Sequence, residues 1–409
     1  MVSADAAGVA TYRGLLRHRE FTSLWGSDAV SLVGDQLAAV ALSVLVFART
    51  GSTLATAATY AVAFLPAIVG GPLLAGLADV LPRRTVMLAC DALRAVLVAL
   101  MAVPGMPLAV LLVLLVVVAL VGSAFSAARS ALMADVLQGE AYVLASSLTS
   151  TTAEASLVGG FLLGGVGVAA FGARGCLLLD AASFVASAVL VLLVRHRPAV
   201  REAPLGRRLV APGLLDGVRL VFATPQLRWL TLLAWLCAFY VVPEALAVPY
   251  AHAHGGGPRA AGVLLAANPL GTVLGSFALV KLATPARRMQ LMGPMALVAS
   301  LVLVACAASP PWPVVAVLLL VSGAGSAYNL PANAAFVAAL PNERRGAAFG
   351  VVATGMSAGQ GLTLLVAGAV GEVVSPGAVM ALAGAAGALV SLPVLLGLRS
   401  VFVAEGDRG

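Results

Sequence analysis

The sequence predicts an all-α membrane protein, with twelve transmembrane helices arranged as two six-helix bundles. Three observations carry this prediction. Of 409 residues, 61% are hydrophobic and only 10% charged, whereas a soluble globule is about half apolar and about a quarter charged. Apolar runs long enough to cross a bilayer follow one another from residue 23 to residue 398. The two halves of the chain also echo each other. LADVLPRRTVML has a counterpart in VKLATPARRMQLM, and FSAARSALMADVLQGE has one in LPANAAFVAALPNER, as same-sense repeats of six helices require.

Residues 1–22 read as a polar, basic cytoplasmic tail without the apolar core of a secretory signal. The spans are placed at 23–47, 54–78, 86–103, 108–130, 143–170 and 175–194 for the N-terminal bundle (23–194). Those of the C-terminal bundle (229–398) lie at 229–251, 259–282, 289–308, 312–338, 347–371 and 377–398. Pro and Gly punctuation separates them, as in PGMP at Pro104, SPPWP at Ser309 and VSPG at Val374. A basic, Pro-rich linker (195–228), weakly amphipathic near Leu214 to Phe222, divides the halves, and 399–409 form a second tail. With both termini inside, 20 of the 24 Arg and Lys face the cytoplasm and three (Arg49, Arg174, Arg259) face outward. That asymmetry predicts the orientation in a cytoplasmic membrane.

The net charge of +7 comes from residues dispersed in short loops, without a basic helical stripe or interleaved aromatics. Nucleic acid is therefore not an expected partner. Cys90, Cys176, Cys237 and Cys306 lie singly in apolar runs and read as packing residues. No HExxH and no GxxxxGK[ST] occurs, so neither a metal nor any other cofactor is expected. The pattern Gly355-Met356-Ser357-Ala358-Gly359 matches a nucleophile elbow but falls inside an apolar run, not at a strand-to-helix turn. No enzyme is predicted. His252 and His254 before three glycines read as an exposed loop.

Placing an ionised acid at mid-bilayer costs on the order of 3 kcal/mol. Asp35, Asp91, Glu154, Asp180 and Glu244 all fall within spans, so they must be paired, protonated or face a wet cavity. Asp91 and Arg94 are three apart on one helix and read as an intramembrane ion pair. Asp35, Glu154 and Glu244 are the candidates for proton coupling or for contact with a cationic substrate. Asp180 reads as structural, and Asp28 as snorkelling out of the first span. Arg129, placed just after the fourth span, and Asn268, Asn329, Asn333 and Gln360 are candidate polar groups of a cavity. Small-residue pairs one turn apart (Gly160 with Gly164, Gly271 with Gly275, Gly355 with Gly359) predict close helix packing.

GPLLAGLADVLPRRTVML, from Gly71 to Leu88, sets Asp79, Arg83 and Arg84 in a short hinge between two spans, as a latch on one membrane face would need. It resembles the pattern G-x-L-A-D-R-x-G-R-R/K of the major facilitator superfamily. Leu77, Ala78, Asp79, Arg83 and Arg84 match, whereas Ala75, Val80 and Pro82 depart from it. The resemblance implies the major facilitator fold, with alternating access gated at this loop. HREFTSLW, Gly34-Asp35, GSTLATA, DALRAVLVAL and DAASFVASA resemble the macrolide-efflux and enterobactin-exporter branch. That branch implies export of a small amphipathic molecule driven by proton entry, by a monomer whose partners are substrate, protons and lipid. The Gly-Pro-x-x-Gly-Gly signature of proton-driven exporters keeps only its final pair, Gly159-Gly160. Proton-coupled uptake of a nutrient and a non-transporting scaffold or receptor are the alternatives.

Overall fold

The computed structural model describes residues 11–64, 81–195, 197, 213–341 and 344–406. Among them the regular structure is wholly helical. Tyr12–Arg17 (α1) precedes Arg19–Thr50 (α2), the first span. Thr53–Ala61 (α3), followed by a 3-10 turn at Val62–Phe64, begins the second; its remainder, with Asp79, lies outside the described residues. Arg83–Met101 (α4) and Leu108–Val136 (α5) follow. Glu140–Leu192 runs on as one helical stretch, but Gly172 interrupts it at φ 72 and ψ 169. That backbone conformation is open essentially only to glycine, and it separates the fifth span (140–171, α6) from the sixth (173–192, α7).

In the second half, Gly213–Ala223 (α8) is the amphipathic segment anticipated in the linker. Gly217 lies against the Ala347 carbonyl, where a Cβ would stand 2.7 Å from its oxygen. The seventh span is broken into Pro225–Trp235 (α9), Cys237–Tyr240 (α10) and Val242–Ala253 (α11). Gly257–Leu282 (α12), Pro285–Val304 (α13), Trp312–Ser326 (α14) with Asn329–Ala338 (α15), Arg345–Val370 (α16) and Pro376–Gly406 (α17) complete the chain. Among the described residues nine helical stretches are long and apolar enough to cross a membrane. Dividing one at Gly172, and adding the charged α4 and the start of the second span, accounts for all twelve segments.

The described residues cluster into two units. The first gathers those of 1–45 and 65–210; the second gathers those of 46–64 and 211–409. The first is built on Leu24, Met87, Cys90, Phe125, Leu132 and Val191. Beside that core, Leu15 of α1 is fully buried with Phe21, Met133 and Ala145, so part of the expected tail is docked. The second has Leu230, Leu233, Tyr240, Ala296, Tyr328 and Val351 at its centre. Segment Val46–Phe64 belongs to it through Gly368 of α16, where a Cβ would approach Ala57 to 2.5 Å. In a membrane, where burial from water does not drive helix association, such close approach supplies the attraction. Gly160 and Gly164 admit Gln36 and Val40 of α2 in the same way. Gly271 and Gly275 face the α14 backbone, and Gly355 faces the Trp235 ring.

Three expectations are corrected. Arg129 is not in a loop but inside α5, which continues to Val136. Asp28 does not reach out of the first span; it is buried. His252 lies within α11, edge-on to Phe47 at 5.5 Å, and His254 stacks on Tyr250 at 4.1 Å, so neither sits in an open loop.

Candidate functional site

Four helices of the first unit meet around charged groups. From α4, Arg94 donates through Nη2 to Asp91 Oδ1 at 2.7 Å, as the i, i+3 spacing predicted. Asp91 is fully buried, and its other oxygen accepts from Ser187 Oγ of α7 at 2.7 Å. The second guanidinium nitrogen, Nη1, points to Asp35 of α2 at 3.8 Å, beyond hydrogen-bond reach. Asp35 itself is 36% exposed. The guanidinium packs over two aromatic rings, Phe125 of α5 at 4.8 Å and Phe184 of α7 at 4.1 Å. Arginine keeps its charge and tolerates stacking, which is why it can occupy such a place.

Asp180 of α7 is buried against α2, where a Cβ on Gly34 would stand 2.4 Å from its Oδ1. Its carboxylate accepts from Ser183 Oγ at 3.1 Å. Only glycine at position 34 lets this third acid lie one residue from Asp35. Two turns earlier on α2, Asp28 pairs with Arg129 of α5 at 2.9 Å. The first unit therefore holds four carboxylates (Asp28, Asp35, Asp91, Asp180) and two guanidiniums (Arg94, Arg129) on facing helices. Reading the sequence singled out Asp35, Asp91, Arg94 and Arg129. It missed Asp28 and undervalued Asp180; the signal for Asp28 was its i, i+7 spacing from Asp35, which puts both on one face of α2.

Glu154 lies outside this cluster. It is exposed on α6 in a stripe with Ser147, Ser150 and Thr151, spaced so that all four share one face. Four polar groups on one uncovered face of a spanning helix are what a water-lined face requires. Glu244, in the second unit, is half-buried in the first turn of α11. Of the polar candidates, Asn329 Nδ2 donates to the Ser326 carbonyl at 3.1 Å, and Ser326 Oγ is 2.9 Å from Thr272 Oγ1; Thr272 bonds the Asn268 backbone carbonyl, while the Asn268 side-chain nitrogen is buried without a partner among the described residues. Asn333 is exposed and Gln360 half-buried, and neither joins those bonds.

Arg83 and Arg84 of the hinge are both engaged by neighbouring helices. Arg83 bonds the Ala131 carbonyl at 2.9 Å and pairs with Asp135, both near the end of α5. Arg84 caps α7, donating to the Val191 and Leu192 carbonyls at 3.3 and 2.8 Å, where the helix dipole favours a cation. Arg288 does the same for α12, reaching the Ala283 and Val280 carbonyls. Glu20 clips the first span to residues after α7, accepting from the Arg195 N–H and from Arg197 Nη2 at 2.8 Å. Burial pushes its carboxyl up, but those two donors and their charge outweigh burial and hold it below the usual carboxylate range. The Gly355-to-Gly359 pattern lies inside α16, without the turn that exposes a nucleophile.

Solved structures share this architecture. A mutant form of the nucleoside transporter NupG aligns with a TM-score of 0.76 at 14% identity, covering 92% of this chain and 99% of its own. A POT family transporter in complex with 5-aminolevulinic acid aligns at 0.74 with 12% identity, covering 96% and 98%. A bacterial homologue of the human lysosomal transporter Spinster aligns at 0.62 with 16% identity, covering 93% and 95%. No curated protein is similar to the chain at the level of sequence. A multi-pass chain whose described residues are wholly helical, with this topology, is a membrane transporter of the major facilitator fold. It belongs, more narrowly, to the transmembrane secretion effector family, whose model matches residues 11–406.

Proposed function

We propose that the chain is a monomeric secondary transporter of the cytoplasmic membrane, with both termini inside. It exports a small amphipathic molecule, such as a drug, antibiotic or siderophore-like product, in exchange for protons by alternating access. The observation that carries the proposal is Asp35: a part-exposed carboxylate within the first span whose nearest cation is already bonded to another acid. Such a group can take up and release a proton while the buried Asp91 keeps its Ser187 anchor. Glu154 on its polar stripe and Glu244 on α11 serve a cationic part of the substrate, and Asp79, Arg83 and Arg84 form the gate on the cytoplasmic face. The family's description as a secretion effector supports the outward direction.

The energetics suffice. A proton entering down about 100 mV and about one pH unit releases about 3.7 kcal/mol, enough to hold a gradient of several hundredfold for a substrate without net charge, and about tenfold for a monocation that leaves against the same potential. The test is accumulation of lipophilic dyes and antibiotics in cells lacking their own efflux pumps, with and without this chain. Expression lowers accumulation, and a protonophore restores it. Lowered accumulation that survives the protonophore would overturn proton coupling, and raised accumulation would reverse the direction.

A further inference from the structure

We infer that Asp91 governs how tightly Asp35 holds its proton, by competing with it for the Arg94 guanidinium. The inference rests on the reading of Asp35 as the proton carrier. It makes Asp91 and Arg94 positioning residues for coupling, beyond the static pair that their spacing suggests.

One cation stands within reach of two carboxylates that are held very differently. Asp91 is fully buried and anchored from the far side by Ser187, whereas Asp35 is part-exposed and has the guanidinium at 3.8 Å only. The guanidinium carbon lies 4.8 Å from the Phe125 ring centroid and 4.1 Å from that of Phe184. Such cation–π contacts depend on distance more than on in-plane direction, so the guanidinium can turn from one acid toward the other and keep them. Gly122 leaves space beside Nη1, since even a Cβ there would stand 3.6 Å away. Arg94 Nε has no partner among the described residues, so no third bond fixes the ring-to-ring position. Because arginine does not deprotonate, the pair of acids must answer to a constant single charge.

When Asp35 is protonated it makes no claim on Arg94, which rests on Asp91. When Asp35 loses its proton, the guanidinium is drawn toward it, and Asp91 keeps the Ser187 bond that makes partial release tolerable. The other charged and titratable groups around this pair are Asp28 with its partner Arg129, Asp180 from α7 against Gly34, and Cys90 on α4. Among the described residues Asp180 brings no cation with it, so an ionised Asp35 depends on its share of Arg94.

The test needs no substrate, because protons are the ligand. Purified protein in dodecyl maltoside is titrated across pH while the infrared carboxylic C=O absorption is recorded, and the Asp35→Asn variant is subtracted to isolate the Asp35 band. Closing the Asp35 contact from 3.8 Å to about 2.8 Å, at an effective dielectric of about 20, corresponds to about one pH unit, or tenfold in proton affinity. Asp91→Asn frees Arg94 for Asp35, so the midpoint falls by about that much. Arg94→Gln removes the cation, so the midpoint rises. If Arg94→Gln does not accumulate, Arg94→Lys replaces it with the same expected direction, because a lysine has no second arm to reach Asp35.

The decisive comparison is Asp91→Asn made on the Arg94→Gln background, where its effect shrinks to a small fraction of the single variant's. Equal shifts in both backgrounds would mean direct repulsion between the acids and overturn competition, as would an Asp91→Asn midpoint that does not move. Absence of any titrating band assigned to Asp35 would overturn the carrier reading and this inference together.

Discussion

Replacing Gly271 by alanine adds one methyl group where α12 meets the backbone of α14, and the outcome sets two known effects against each other. In an exposed helix position Gly→Ala stabilises by up to about 1 kcal/mol, because the unfolded chain has less freedom to lose. At Gly271, however, the new Cβ would stand 2.0 Å from the Leu320 carbonyl oxygen and 2.8 Å from its carbon. Contacts below 3.4 Å are already tighter than ordinary, so α14 must retreat by roughly 1.4 Å. Both opposing atoms are backbone, and no rotamer can relieve them. Overpacking of this kind costs about 1–3 kcal/mol, and the retreat also stretches the 2.9 Å Thr272–Ser326 contact in the next turn. The net expectation is a loss of about 1–2 kcal/mol. The assay is thermal unfolding in detergent, with Gly350→Ala in α16 as control, since nothing lies within 4 Å of a Cβ there. Gly271→Ala should melt below wild type and Gly350→Ala at or above it. An unchanged or raised melting temperature for Gly271→Ala would refute the close-contact reasoning.

Asp28→Asn leaves the Arg129 charge buried without its partner and should cost about 3–5 kcal/mol. In detergent melts, Arg129→Gln on that background should recover part of the loss. Glu372, after α16, accepts from the Leu54 N–H at 2.8 Å and from Ser52 Oγ at 2.7 Å. Those two bonds, the Leu54 bond foremost, hold its carboxyl below the usual carboxylate range. Their stabilisation of the α3 N-terminus is therefore present above the ordinary carboxylate pKa and is lost as pH falls through the lowered folded value. The protection factor of the Leu54 amide, the exchange rate of an unstructured amide divided by its own at the same pH, should be high near neutrality, fall in acid, and be low at all pH values in Glu372→Ala.

The succession of spans was legible because spanning helices must carry about twenty apolar residues and satisfy their own backbone. Hydropathy is therefore a direct record of them. It also located the break near Gly172, between two apolar runs that the structure joins into one helical stretch. It placed Arg129 outside a helix because a charge after an apolar run reads as a loop, yet α5 continues to Val136 with Arg129 turned inward to Asp28. A partner on another helix removes the penalty that the single-helix reading assigns to a charge. Residues 12–17 were read as tail on composition alone, and the burial of Leu15 beside Phe21 and Met133 depends on contacts that no local pattern carries.

The site was half legible for the same reason. Spacing within one helix shows Asp91 above Arg94, and the structure has that pair. It cannot show that a second acid, Asp35 of α2, shares the same guanidinium, nor that Ser187 anchors the first from α7. Those facts turn on helix packing, and the packing turns in part on Gly34, whose missing side chain admits Asp180. Glycines at such points read as generic small residues in a membrane helix. Its position opposite a charged group gives Gly34 consequence: a methyl group there would displace Asp180 from α2 and change the field at Asp35 without replacing an ionisable residue.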